Sequence, residues 1–188
     1  MAAAERGCIV WLTGLPSAGK TTLARLLGDE LRGRGRAVEV LDGDEVRRYL
    51  TGGLGFSKAD RDENVRRVAW VARLLARHGV VAVVAMISPY RGPRDEARAA
   101  SADFVEVHVD CAAEECIRRD VKGLYRRALA GEIANFTGVS DPYEPPLRAE
   151  VTVRTERESP AQSLGRIVDA LEERGYLTSA RKVGPWTS

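Results

Sequence analysis

A chain of 188 residues is long enough to bury a hydrophobic core without disulfide or metal staples, and it suits a single domain over residues 1–188. With 44% apolar and 30% charged residues it is neither a disordered nor a collagen-like chain, and 29 basic against 27 acidic residues, a net charge of +2, leave no nucleic-acid footprint. No apolar run reaches membrane-spanning length, and the start at Met1 to Arg6 lacks the parts of a secretory signal, so the expectation is a soluble, cytoplasmic protein with no nucleic-acid or membrane partner. Cys8, Cys111 and Cys116, odd in number and without metal-ligand or redox spacing, read as small buried residues in a reducing compartment.

Cys8 to Thr13 is a short buried-strand pattern that runs straight into a glycine-containing loop. Leu23, Leu26, Leu27, Glu30 and Leu31 then recur near helical spacing up to Gly33 and Gly35. A second strand over Ala37 to Leu41 ends on Asp42-Gly43-Asp44, followed by a short helical stretch and the glycine-rich break at residues 52–55. Ser57, with Asp60 three residues on, starts a helix whose apolar face is Val65, Val68, Ala69, Ala72, Leu75 and Ala76, stopping at Gly79.

The nearly continuous apolar run Val80 to Ile87 predicts a central parallel strand covered on both faces, ending on the polar cluster Ser88-Pro89-Tyr90-Arg91. Phe104 to Val109 predicts another strand and Ala112 to Arg119 a short helix. Residues 121–148, with several prolines and no sustained period, read as a lid. Val151 to Arg154 is a last strand, Ser159-Pro160-Ala161-Gln162 opens a final helix that stops near Gly175, and residues 178–188 read as a tail. The alternation predicts an α/β fold with a doubly wound, mainly parallel sheet, and ligands at the carboxyl ends of its strands.

Gly14, Gly19, Lys20 and Thr21 fit the P-loop spacing, and strand before and helix after are the context that its mechanism needs. Backbone N–H groups close around phosphate oxygens, the helix amino end favours negative charge, Lys20 reaches the β- and γ-phosphates, and the Thr21 hydroxyl ligates magnesium. The set expected to bind the nucleoside triphosphate is therefore Gly14, Leu15, Pro16, Ser17, Ala18, Gly19, Lys20, Thr21 and Thr22. A P-loop alone does not separate a kinase from a GTPase or a motor. A kinase also needs carboxylates near the acceptor hydroxyl, and Asp42 and Asp44 stand at a strand end where they can serve, besides capping the next helix.

The segments GLPSAGKT at 14–21, LDGDEVR at 41–47, LGFSKADRDENVRRV at 54–68, ISPYR at 87–91, KGLYRRALAGEIANFTG at 122–138 and DPYE at 141–144 resemble the adenylylsulfate kinase family over nearly the whole chain. That resemblance implies a P-loop kinase fold, makes the triphosphate-binding set at 14–22 an ATP-binding one, and implies ATP-dependent phosphorylation of the 3′-hydroxyl of adenosine 5′-phosphosulfate, with one Mg2+ ion. It makes Asp42 the leading candidate for general base and a magnesium ligand beside Thr21, with Asp44 second. It implies that Arg47, Arg61 and Asn64 hold the phosphosulfate and ribose, that Phe56 and Phe136 sandwich the adenine, and that Ile87 and Ser88 line the acceptor pocket. Ser88 corresponds to the family's active-site serine, a proposed phosphoserine. With no activating base adjacent in sequence, hydrogen bonding to ligand is its physical reading. Lys122, Gly123 and Leu124 begin the lid, and Lys122 is expected near anionic groups.

A homodimer, and ATP sulfurylase as a functional partner, are also implied by the resemblance. The chain departs from the family pattern at Glu45, at Val121 and at Pro16-Ser17, none of which removes a catalytic group, and it lacks a carboxylate at the end of its third strand. His78 and His108 read as packing or solvated residues. Two other readings stay open: a related kinase acting on another nucleoside or small-molecule hydroxyl, and a catalytically silent nucleotide-binding module.

Overall fold

The computed structural model describes residues 6–178. Residues 1–5 and nearly all of the expected tail lie outside those residues. Five strands form one parallel sheet in the order β2-β3-β1-β4-β5: β1 Cys8–Thr13, β2 Val38–Asp42, β3 Val81–Ala85, β4 Phe104–Asp110 and β5 Val151–Arg154. β1 is the central strand and is buried along its whole length. It pairs Cys8–Leu12 with Val81–Ala85 on one side and Ile9–Thr13 with Phe104–His108 on the other.

Side chains of β1 alternate between two cores, as the two-residue period of a strand requires. Cys8, Val10 and Leu12 pack with Leu23, Leu27 and Leu31 of helix α1 (Lys20–Gly33) and Ile167 and Leu171 of helix α7 (Pro160–Glu173). Ile9 and Trp11 pack with Val65, Val68 and Ala72 of helix α3 (Lys58–Arg77) and Ala97 of helix α4 (Arg91–Ala99). Helices thus cover both faces, which makes this a doubly wound α/β fold. The three cysteines are free and buried, and among the described residues no helix is long and apolar enough to cross a membrane.

Local signals act as expected at several ends. Ser57 caps α3 by accepting from the Asp60 amide at 3.2 Å. Ser159 and Gln162 close a reciprocal capping box on α7, with Pro160 at its first turn. Asp42 caps the short helix α2 (Gly43–Tyr49) through the Asp44 amide at 3.0 Å.

Two elements depart from the pattern reading. α4 follows the polar cluster at 88–91, where no helix is evident from periodicity, because its buried side chains are Pro93, Arg94 and Ala97 and an arginine in the core hides the apolar stripe. The lid segment also contains helix α6 (Leu124–Leu129), which buries Tyr125 and Ala128. Helix α5 (Ala113–Arg119) starts within one residue of its expected position.

Candidate active site

The loop from Gly14 to Gly19 leaves the carboxyl end of β1 and turns into α1. Gly14 has no room for a side chain, since a Cβ there would lie 2.4 Å from the Val109 carbonyl oxygen of β4. Gly19 starts α1 at φ 101° with no side-chain cap, and no acidic residue sits in the first turn, so the helix amino end is kept for an anion. Ser17, also at positive φ, completes the turn.

Three neighbours buttress the loop. The Tyr125 hydroxyl donates to the Pro16 carbonyl at 3.3 Å, the Thr155 hydroxyl donates to the Ala18 carbonyl at 2.8 Å, and Arg119 of α5 donates to both the hydroxyl and the carbonyl of Thr155.

Lys20 is buried, and its ammonium donates to the Gly14 and Leu15 carbonyls at 2.9 and 2.6 Å. Burial lowers its pKa to about 8. The Thr21 hydroxyl donates to an Asp42 carboxylate oxygen at 2.7 Å, while the other Asp42 oxygen accepts from the Asp44 amide. Sheet order explains the first contact: β2 and β1 flank β3, so their carboxyl ends share one edge of the molecule. Lys122, at the start of the lid, forms an ion pair with Asp44. Lys20 and Thr21 at the start of α1, Asp42 and Asp44 after β2, and Lys122 before α6 are therefore brought together.

The other expected residues have the following positions. Arg47 donates to the Leu54 and Gly55 carbonyls and lies 4.4 Å from the ring centre of Phe56, which is 54% exposed. Arg61 is buried, and its guanidinium donates to Phe56 O, Thr137 Oγ1 and Asn135 O, with Asp141 at 3.7 Å. Much of its fork is spent on bracing the turn at 135–141. Asn64 is buried with its side-chain carbonyl unpartnered within the protein, a group that a polar ligand would satisfy.

Phe136 differs from its expected surroundings. Despite neighbouring glycine and polar residues it is 8% exposed and meets Tyr125 edge-on, 5.1 Å between ring centres, as part of the main core. The ring therefore packs within the main core, where the resemblance implies a face stacked on adenine. The Ser88 hydroxyl accepts from the Trp11 indole N–H at 3.0 Å and is buried, and Ser88 itself adopts a positive φ of 39°. Next to it, the Ile87 carbonyl accepts from the Thr13 hydroxyl at 2.7 Å.

The arrangement is a triphosphate cradle with carboxylates on one flank and an arginine- and aromatic-bearing wall on the other. The adenylylsulphate kinase family model matches residues 6–154, which include both parts. The chain belongs to the adenylylsulphate kinase family. An adenylyl-sulfate kinase of Rippkaea orientalis is 55% identical over 173 residues, 92% of this chain and 96% of the relative. The structure of the Mycobacterium tuberculosis APS kinase CysC in complex with AMPPNP and APS superposes with a TM-score of 0.85 at 43% identity, covering 89% of this chain and 98% of that one. A Sorangium cellulosum protein named probable bifunctional SAT/APS kinase 2 is 56% identical over 91% of this chain and 29% of its own length.

For an adenylylsulphate kinase family member, the motif reading leaves some well-placed side chains without a role. Thr155 touches the loop from the turn after β5, Trp11 holds Ser88, and Asp141 accepts from the Tyr90 hydroxyl at 2.7 Å. DPYE at 141–144 was the available signal for Asp141. Nothing in local sequence marks Trp11 or Thr155, since each acts on a segment far away along the chain.

Proposed function

We propose that the chain transfers the γ-phosphoryl group of ATP to the 3′-hydroxyl of adenosine 5′-phosphosulfate, giving ADP and 3′-phosphoadenosine 5′-phosphosulfate. The observation that carries the phosphoryl-transfer reading is the 2.7 Å contact between Thr21 and Asp42, which joins the phosphate loop to a strand-end carboxylate. The acceptor rests on the family and on the relative solved with AMPPNP and APS.

In this reading Lys20 leaves the Gly14 and Leu15 carbonyls for the β- and γ-phosphates, and the loop amides hold the remaining oxygens. Thr21 and Asp42 fit Mg2+, because hydroxyl and carboxylate oxygens are the hard donors that this ion takes alongside substrate phosphates. When bound, the ion neutralises charge on the transferring group. Asp42 accepts the proton of the acceptor hydroxyl, with Asp44 beside it. Lys122 exchanges Asp44 for ligand phosphate as the lid closes from its start at residues 121–124.

Arg47 and the free N–H groups of Arg61 bind the phosphosulfate, Asn64 binds the ribose, and the exposed face of Phe56 stacks on adenine, with Phe136 supporting from the core side. Ile87 and Ser88 border the pocket. ATP sulfurylase is the natural supplier of the acceptor, a pairing supported by the bifunctional name of the Sorangium relative. A homodimer is the assembly expected of the family, to be checked by light scattering of the purified protein. The reaction itself is tested by incubating the protein with ATP, magnesium and adenosine 5′-phosphosulfate and weighing the products. Gain of one phosphoryl group by that acceptor is expected, and its absence overturns the reading.

A further inference from the structure

Arg94 lies in the second core layer beneath the Ser88 turn and is 2% exposed, an unusual place for a guanidinium. Its three nitrogens serve three different segments. Nε donates to Glu106 Oε1 of β4 at 2.9 Å, Nη1 donates to the Ser88 carbonyl at 2.5 Å, and Nη2 donates to the Glu144 carbonyl at 2.6 Å. Glu106 is itself buried and shared with Arg98, which also pairs with Glu150. The Glu150 carboxylate in turn accepts the Glu106 amide at 2.6 Å. Arginine and glutamate alternate, so the buried charges cancel locally.

Stability does not account for this network. Burying ion pairs costs desolvation that their attraction only roughly returns, and apolar residues of similar volume serve a core at least as well. What an apolar side chain cannot do is hold two backbone carbonyls at fixed directions. One belongs to Ser88, a non-glycine residue at φ 39° and therefore in a backbone state that persists only when its surroundings over-determine it. The other belongs to Glu144, at the far end of the lid segment.

The same two stretches are laced together again. The Arg91 amide donates to Glu144 Oε2 at 2.8 Å, the Glu144 amide donates to the Pro89 carbonyl at 2.8 Å, and the Tyr90 hydroxyl reaches Asp141. Asp141 lies against Arg61 and ends the turn that begins at Phe136.

We propose that Arg94, fixed by Glu106, is a positioning residue for the acceptor: it ties the Ser88 turn to residues 141–145 so that the two walls of the acceptor pocket hold a constant separation, without itself touching substrate. This inference rests on the proposed function for the identity of the acceptor, but its structural half does not.

Three proteins carry the first tests: wild type, Arg94→Lys, which keeps the charge and loses the fork, and Glu106→Gln, which keeps the shape and loses the charge partner; a fourth, Arg94→Met, loses both charge and fork and serves as the reference for acceptor affinity. Hydrogen exchange without any substrate comes first. In both variants the Arg91 and Glu144 amides should lose protection together, while amides of β1 and α1 stay protected. Steady-state kinetics follow, with the KM for adenosine 5′-phosphosulfate rising about 10- to 100-fold, as misplaced substrate-holding walls demand, and the KM for ATP unchanged. Arg94→Lys should retain more acceptor affinity than Arg94→Met.

Equal increases in both KM values, or a lowered melting temperature with both KM values unchanged, would make Arg94 merely structural and overturn the proposal. So would independent exchange of the two amides, a result available even for a variant too unstable to assay. Wild type that does not phosphorylate adenosine 5′-phosphosulfate defeats the proposed function instead, and the exchange experiment still decides whether Arg94 couples the two stretches.

Discussion

The two halves of the site are built by opposite means. On the donor side, residues 14–21 are contiguous, and the conformation that matters is that of backbone running from strand to helix, with Gly14 forced by the approach of Val109 and Lys20 folded onto its own loop. On the proposed acceptor side, Arg47 comes from α2, Arg61 and Asn64 from α3, and Ser88 and Phe136 from two loops, and they are held by side chains that cross long stretches of sequence, such as Trp11 to Ser88 and Arg61 to Asn135. A donor site of this kind survives changes elsewhere as long as the loop and its helix persist. An acceptor site assembled by bracing is open to change at many remote positions.

The largest effect should come from the residue where the halves meet. Asp42→Asn keeps the volume and the ability to cap α2, so its cost is chemical: turnover should fall about 10²–10⁴-fold, the range for loss of a positioned base, with ATP affinity changed far less. Single-turnover kinetics beside an equilibrium ATP titration make the comparison. Lost ATP affinity with normal turnover of bound substrate would move Asp42 wholly to the donor side.

Next in size is Phe136→Ala. As a core ring against Tyr125 it should cost about 3–5 kcal/mol of stability in denaturant unfolding. Were its main role a stacking face for adenine, the loss would appear as about 1–3 kcal/mol of acceptor affinity with stability nearly intact, and the acceptor wall would reach deeper than its burial indicates.

The donor side carries a pH signature. Burial holds Lys20 near pKa 8 rather than at its ordinary 10.5, and only the cationic form attracts phosphate. In the free protein the charge is present below about pH 8 and lost above it. Affinity for ATP should therefore weaken as pH rises from 7 to 9.5, approaching about tenfold per unit on the alkaline side, a slope of one proton. Calorimetry in two buffers should detect proton uptake on binding above pH 8. A flat profile, or the same profile in Lys20→Met, would assign the effect elsewhere.

Lys122→Ala should be the mildest for stability. The pair with Asp44 is exposed, 56% and 73% for the two side chains, and such pairs contribute about 0–1 kcal/mol. The melting temperature should hardly move while turnover falls. A large loss of stability would show that the lid start is structurally anchored at this contact.

Legibility from sequence follows the same division. The strands, α1, α3 and α7 were readable because apolar periodicity and end signals such as Ser57 and the Ser159 box are local properties. The P-loop was readable for the same reason. α4 was not, since Arg94 stands where an apolar residue would have revealed the buried face. α6 was hidden by its length of only six residues, too short to establish a period. The committed state of Phe136 and Arg61 depends on Tyr125, Thr137 and Asn135, partners that no spacing rule connects to them. The family resemblance supplied names for these residues. It did not supply their packing.

The central position of β1 has a consequence for how the protein is made. The strand that ends in the phosphate loop is synthesised first, yet its two neighbours are residues 81–85 and 104–108. Until residues 104–108 have left the ribosome, that apolar strand has no complete partner set, and closing such distant parallel pairings is slow. The loop at its end cannot be in working shape before β4 arrives, because Val109 forms part of its floor. A nascent chain cut short before residue 110 should capture no nucleotide, so triphosphate can select only chains whose sheet is already closed around β1.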